Sequence, residues 1–219
     1  MQDLFIIIGL FIVSFLLGSI PFGLIISKVF FAKDLRDEGS GNIGTTNAIR
    51  SMGKVGGFSV FALDFGKGVS SGFLGLYAAT LISPEFTLAN PMFNSDSVAM
   101  FAFAGCILGH IYSPWLKFKG GKGIAVAIGA IFPIFGFGVA FAELGIFIIL
   151  VLTLRYVSVG SIASAAANPF FAVYLFPGNL VAILLSSIGA CAIVFAHRGN
   201  IQKLLSGVES RVGNKKKGK

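Results

Sequence analysis

From residue 4 to residue 31 the chain runs through twenty-eight residues with a single charge, Lys28. A helix that is apolar on every face needs lipid or a very large core around it. Six more apolar runs follow, at 57–82, 98–111, 124–135, 136–154, 157–176 and 180–196. With 55% hydrophobic and only 12% charged residues among 219, too little polar surface remains to cover a soluble globule. The expected fold is an all-α polytopic membrane protein with seven transmembrane helices. The opening run is too long for the apolar part of a cleavable signal and has no basic flank before it.

The cations order these runs. All 17 Lys and Arg lie in 33–54, 117–122, Arg155 and 198–219 or at adjoining ends of apolar runs, except Lys67 inside the second run. The amino-terminal stub, 83–97, 133–138 and 177–179 contain none. Seven spans make basic and non-basic segments alternate, so the positive-inside rule puts the amino terminus outside and the carboxyl terminus in the cytoplasm. Here 133–136 reads as a tight turn; one bent helix over 124–154 would put Arg155 and the basic tail outside. Residues 1–213 are expected to form one seven-helix domain, and 214–219 a disordered basic tail. Cys106 and Cys191 sit in apolar runs and read as small core residues, with no disulfide and no metal-ligand spacing.

Unusual chemistry collects in the cytoplasmic segments. The first, 34–54, contains Gly39-Ser40-Gly41-Asn42-Ile43-Gly44, formally a dinucleotide-fold glycine pattern. The charged linker before it cannot be the required strand, so that reading fails. Ser40, Asn42, Thr46, Asn47, free backbone amides and Arg50 are instead the components of a phosphate nest, against the plainer alternative of a capped polar turn. The next, Phe118-Lys119-Gly120-Gly121-Lys122-Gly123, is no Walker A motif, but its glycines allow close backbone approach and precede an apolar helix with free amino-terminal amides. Positive-inside lysines explain Lys119 and Lys122 but not the three glycines, so a phosphate is the expected occupant. Ser158 and Ser161 follow Arg155 and can bind a ligand or cap a helix. His197 closes the last run, where it can answer the helix dipole, act as a base or donate to a phosphate. Ile201, Leu204 and Leu205 then mark an amphipathic stretch.

Within the apolar runs, Asp64 and Lys67 stand three residues apart and can neutralise each other. Glu143 stands alone, expected to face the bundle interior, with no partner evident.

GSGNIGTTN with Arg50, LDFGKG, GH…FKGGKG, RYVS and the HRxNI ending together resemble the bacterial acyl-phosphate:glycerol-3-phosphate acyltransferase family, over roughly residues 14–211. The resemblance implies seven spans with the motifs on the cytoplasmic face of the bacterial inner membrane. It implies acyl transfer from acyl phosphate to the 1-hydroxyl of glycerol 3-phosphate, giving lysophosphatidic acid and inorganic phosphate, the first step of phospholipid synthesis. Residue by residue, Ser40 and Arg50 match the essential serine and arginine of the family's first motif, and Asn42, Gly44, Thr46 and Asn47 its other polar positions. Lys119, Gly120, Gly121, Lys122 and Gly123 match the glycerol 3-phosphate loop. His197 and Asn200 match the third motif, with Glu209 its structural glutamate; Asp64 and Lys67 are read as structural too. The chain departs from the family where Val126 replaces a threonine and Lys203 an arginine.

No cofactor, metal or nucleic acid is expected. The partners are the two phosphate substrates, the bilayer and, transiently, the soluble enzyme that makes acyl phosphate. No serine or cysteine nucleophile is evident, and an acyl phosphate, already activated, needs none. Two alternatives stay open: a transporter of small organic phosphates using Asp64, Lys67 and Glu143 as a relay, and a scaffold that binds anionic lipid.

Overall fold

A computed structural model describes residues 1–213; the basic tail at 214–219 lies outside the described residues. Those residues form helices and connecting turns, without strands. The first apolar run is not one helix: α1 (Gln2–Ser19) and α2 (Phe22–Phe31) are separated at Ile20 and Pro21. Proline has no amide hydrogen and pushes its predecessor out of helical geometry, and Ile20 accordingly has ψ 118°. The carbonyls released at the break are taken up by other segments: Ser113 Oγ donates to Ser19 O at 2.7 Å and Lys67 Nζ to Ile20 O at 2.9 Å.

Helix α3 (Thr45–Ala79) begins in the polar segment and continues through the second apolar run, interrupted at Gly53, where φ is 75°. A short α4 (Pro84–Ala89) and α5 (Ser95–Ile111) follow, capped by Ser83 and Asn94. α6 (Ile124–Leu154) is broken at Gly136, with φ 80° and ψ 168°. The Phe132 ring lies 5.6 Å from both Phe137 and Phe141. In a straight helix residues nine apart point to opposite faces and stand about 13.5 Å apart along the axis. The chain therefore folds back at Gly136, while Pro133 stays inside the helical part before it. α7 (Val157–Leu175), α8 (Leu180–Ala196) and α9 (Arg198–Leu205) complete the chain.

Glycines set the helix spacing. A Cβ on Gly18 would strike the Cys106 carbonyl, one on Gly68 that of Val126, and one on Gly129 that of Phe65. With no hydrophobic drive between helices in lipid, such close backbone approach is a main source of packing energy. α1 and α5 run parallel, with Phe11 beside Gly105 and Phe15 beside Gly109; α3 opposes α5, Gly75 lying against Ala99 and Lys67 against His110. The first half of α6 runs parallel to α3, Gly68 lying against Val126 and Gly72 against Pro133, and the second half opposes α7.

Burial is inverted relative to a soluble protein. Phe5, Phe58, Phe73, Phe137, Phe170 and Tyr174 face outward, whereas Asp64, Lys67, His110, Glu143 and Asn168 are buried. By length and composition, Gln2–Phe31, Ser95–Leu116, Ile124–Leu154 and Val157–Leu175 can each cross a membrane, and α8 with α9, bent by 53°, makes a fifth candidate. Glu143 is not alone: Asn168 Nδ2 on α7 donates to its Oε1 at 2.7 Å, and Ser186 Oγ on α8 donates to Asn168 Oδ1 at 2.6 Å. Cys106 is buried as expected, but Cys191 is exposed on the outer face of α8.

Candidate active site

Three segments far apart in sequence meet at the end of the bundle where α3 and α6 begin and α8 ends. Ser40 and Asn42, Lys122, and Arg198, Asn200 and Lys203 line one cleft of about 360 Å³. The helices behind them explain the convergence: α5 and α8 pack side by side, with Ile107 and Ile193 both within 3.4 Å of where a Gly123 Cβ would sit.

The 34–47 segment is held from within. Asn47 is buried and its side-chain amide is fully committed. Nδ2 donates to the carbonyls of Leu35 at 3.1 Å, Glu38 at 2.9 Å and Asn42 at 2.9 Å, and Oδ1 accepts from the Ser40 amide at 2.9 Å. Gly44 is the N-cap of α3 and its amide donates to Asn42 Oδ1. Asn47 and Gly44, expected to contact substrate, thus form the frame of the loop. Ser40 stands exposed on the rim. Thr46 and Arg50, four residues apart on α3, are exposed on one face. The amides of Thr45 and Thr46 have no hydrogen-bond partner among the described residues, as expected for a helix amino terminus without a side-chain cap.

The glycine segment departs further from expectation. The Gly120 amide donates to Ile111 O at 2.9 Å and that of Gly121 to His110 O at 3.0 Å. A Cβ on Gly120 would strike the His110 carbonyl, and one on Gly121 the His110 ring at Nε2. These two glycines are required by the end of α5, and their amides are not available to a ligand. The available amides come later: Lys122, Gly123 and the first turn of α6 through Val126 make no hydrogen bond among the described residues. Gly123, at φ 84°, turns the chain into that helix. Lys119 is exposed and does not line the cleft.

Lys122 Nζ is hydrogen-bonded to Asn200 Oδ1. Asn200 Nδ2 donates to Glu209 Oε1 at 2.8 Å, and Ser158 Oγ donates to the same oxygen at 3.1 Å. Glu209 therefore joins α7 to α9, and Ser158 serves it instead of capping α7, whose N-cap is Tyr156. Ser161 is buried one turn further along α7 and does not reach the cleft. Burial lowers the Lys122 pKa, the Glu209 carboxylate opposes that shift, and the charges of Lys203 and Arg50 reinforce it. His197 lies behind the cleft wall with Nδ1 2.8 Å from Ile193 O, and burial pushes its imidazole down to about 4. It is neutral at pH 7, with Nδ1–H as donor.

Among the described residues, Arg50, Lys122, Arg198 and Lys203 form no ion pair. Several cations and one carboxylate beside unbonded helix amides make a receptor for multiply charged anions. Arg198 and Lys203 also line the cleft, although in the sequence they stand out only as parts of the third motif, Arg198 in its HRxNI ending and Lys203 as a departure, and not as site residues. On the lipid side of α7 and α8, Arg198 also borders an apolar groove of about 620 Å³, with Ala166, Pro169, Phe170, Cys191 and Val194 in its walls.

The arrangement has known counterparts. Residues 8–207 match the family described as glycerol-3-phosphate acyltransferase. A glycerol-3-phosphate acyltransferase of Rhodopseudomonas palustris (strain BisB5) is 37% identical over 209 residues, covering 95% of this chain and 97% of its own. One from Geotalea daltonii is 40% identical over 203 residues, covering 93% and 96%. The crystal structure of PlsY (YgiH), an integral membrane glycerol 3-phosphate acyltransferase in its glycerol 3-phosphate form, superposes with a TM-score of 0.76 at 33% identity, covering 97% of this chain and 96% of its own. Its lysophosphatidic acid form superposes equally well at 32% identity.

Proposed function

The chain belongs to the glycerol-3-phosphate acyltransferase family, and from that premise we propose that it transfers an acyl group from acyl phosphate to the 1-hydroxyl of glycerol 3-phosphate at the cytoplasmic face of the bacterial inner membrane. The observation that carries this reading is the shared border at Arg198 between the cationic cleft and the apolar groove. An acyl phosphate has one part for each: a dianionic head for the cleft and a hydrocarbon tail for the groove. Glycerol 3-phosphate adds a second phosphate, and the unpaired cations of the cleft offset the repulsion between the two.

The hydroxyl oxygen attacks the acyl carbonyl carbon, the bond from that carbon to the phosphate oxygen breaks, and phosphate leaves. Holding both anions in register is worth about 7–11 kcal/mol in favourable intramolecular cases. Ser40 and Arg50 bind and orient the acyl phosphate head, with Asn42 and Thr46 beside them. Lys122, steered by Asn200, and the amides from Lys122 to Val126 receive the other phosphate. Lys119 adds charge at the approach. A histidine whose basicity is lowered to about 4 is a poorer proton acceptor than a phosphate dianion, whose own second pKa is about 6. The hydroxyl proton therefore goes to a substrate phosphate oxygen, and His197 acts through its position beside Asn200. Asp64, Lys67 and Glu209 are structural.

This reading places residues 1–213 in one domain with seven spans, an external amino terminus and a cytoplasmic carboxyl terminus. The alternating cations and the reversal at Gly136 support it. Acyl phosphate would be handed over in transient contact with the soluble enzyme that makes it. The transporter alternative is not favoured: its relay groups, Asp64 with Lys67 and Glu143 with Asn168, are paired inside the bundle, away from the cleft. The deciding experiment offers purified protein glycerol 3-phosphate with acyl phosphate, acyl-CoA and acyl carrier protein as competing donors. Lysophosphatidic acid and inorganic phosphate should appear in equal amounts from acyl phosphate alone. No product from that donor would overturn the proposal.

A further inference from the structure

Asp64, Lys67 and His110 form a cluster inside the bundle that the reaction does not use. Lys67 Nζ lies 3.0 Å from Asp64 Oδ1, 2.9 Å from His110 Nδ1 and 2.9 Å from the Ile20 carbonyl. An ammonium group only donates, so His110 Nδ1 is the acceptor and its hydrogen is on Nε2. All three side chains are buried. A buried cation beside a carboxylate that accepts no aligned hydrogen bond is costly to maintain, and such groups are kept where they fix something else.

What they fix is on the far side of the imidazole. The ring occupies the space that any Gly121 side chain would need, and the His110 carbonyl holds the Gly121 amide. The same stretch is tied to the α1 break from its other end: Ser113 Oγ donates to Ser19 O, and Trp115 Nε1 donates to Ser19 Oγ at 2.8 Å. Residues 112–121 thus close into a loop gripped at both ends. One grip runs through Lys67 and His110, and the other through the end of α1. The residues immediately after the closure are Lys122 and the unbonded amides of α6.

We propose that His110, held in a single orientation by Lys67, is a positioning residue that sets where the 118–123 loop delivers Lys122 and the α6 amides to the anion in the cleft. Lys67 is the anchor, and Asp64 balances its charge. The assignment of that anion as glycerol 3-phosphate rests on the proposed function; the mechanical role of His110 does not.

Three measurements test it, on full-length protein in detergent or nanodiscs. His110→Asn keeps an acceptor for Lys67, because asparagine Oδ1 falls where Nδ1 was, but removes the ring that abuts Gly121. Exchange of the hydrogen-bonded amides in 112–121 should accelerate by roughly tenfold with the rest of the bundle unchanged, an effect read without activity or substrate. In the acyl transfer assay the KM for glycerol 3-phosphate should rise by about tenfold while kcat stays within about threefold. Gly121→Ala should raise KM similarly in the parent and add nothing in the His110→Ala background, where the space is open. Unchanged exchange in His110→Asn, or Gly121→Ala and His110→Ala multiplying independently, would overturn the proposal. If the parent makes no product from any donor, the proposed function fails and the exchange experiment still decides the role of His110.

Discussion

Asn47 gives the sharpest test of how the first loop is built. Its four side-chain hydrogen bonds each contribute about 0.5–1.5 kcal/mol net, so complete loss would cost roughly 2–6 kcal/mol. Leu35 is fully buried and its carbonyl has no access to water, whereas Glu38 and Asn42 lie near the surface and can rehydrate. Asn47→Ala should therefore destabilise the loop locally by about 3 kcal/mol, which accelerates amide exchange across 35–44 by roughly 100-fold. Asn47→Asp is nearly isosteric yet should be at least as damaging. It keeps the acceptor for Ser40 but turns an oxygen toward three carbonyl oxygens instead of a donor. Hydrogen exchange by mass spectrometry, with acyl transfer measured in parallel, reads both effects. Native exchange over 35–44 in the alanine variant, with only the KM raised, would refute this account and return Asn47 to direct substrate contact.

Arg50→Lys should lose most acyl transfer at unchanged thermal midpoint, because lysine keeps the charge but not the planar fork that grips a phosphate twice; wild-type rates would remove that role. Ser40→Ala should behave alike, again measured as lysophosphatidic acid formed per minute. The folded-state pKa of His197, about 4, lies below the ordinary value of 6.5, so the unfolded chain binds a proton first as pH falls. Its stabilising contribution is complete above pH 6.5 and is lost toward pH 4, by about 3 kcal/mol at most. His197→Gln should flatten the acid limb of the thermal midpoint in detergent, and parallel limbs in both proteins would count against this. Cysteine labelling from the outside should modify position 90 and spare 41 and 119, all three exposed in the structure; modification at 119 would invert the topology.

The sequence declared what the membrane imposes on it. Apolar runs and the placement of Lys and Arg follow from transfer energies that act residue by residue, so they are visible without a fold. Ser40, Asn42, Lys122 and Asn200 were likewise visible as unusual polar residues beside those runs, and they do line one cleft. What stayed hidden depends on contacts between helices. Gly120 and Gly121 look like a ligand cradle until His110, ten or more residues earlier, fills the space beside them. Glu143 looks isolated until Asn168 is brought to it by the antiparallel α6 and α7. The frame role of Asn47 needs the chain to curl back by twelve residues, which no local pattern announces. The break at Ile20 was legible, since Pro21 stands inside the run, but the length of the apolar stretch masked it.

The reversal at Gly136 has a geometric corollary. The part of α6 before it, Ile124 to Phe135, is twelve residues long and rises about 18 Å, against roughly 30 Å of hydrocarbon. Its two ends cannot reach both surfaces of the bilayer, and the Phe137 and Phe141 rings, 69% and 59% exposed, keep the turn in contact with lipid. On the proposed topology, with the turn at the external interface, the start of α6 and the cleft in front of it would lie about 12 Å below the cytoplasmic one. A donor whose tail stays dissolved among the lipids then has to lift its reactive carbonyl only a short way, while the small water-soluble acceptor descends to meet it. On that topology, the shortness of one helix would bring the reaction down to the lipid.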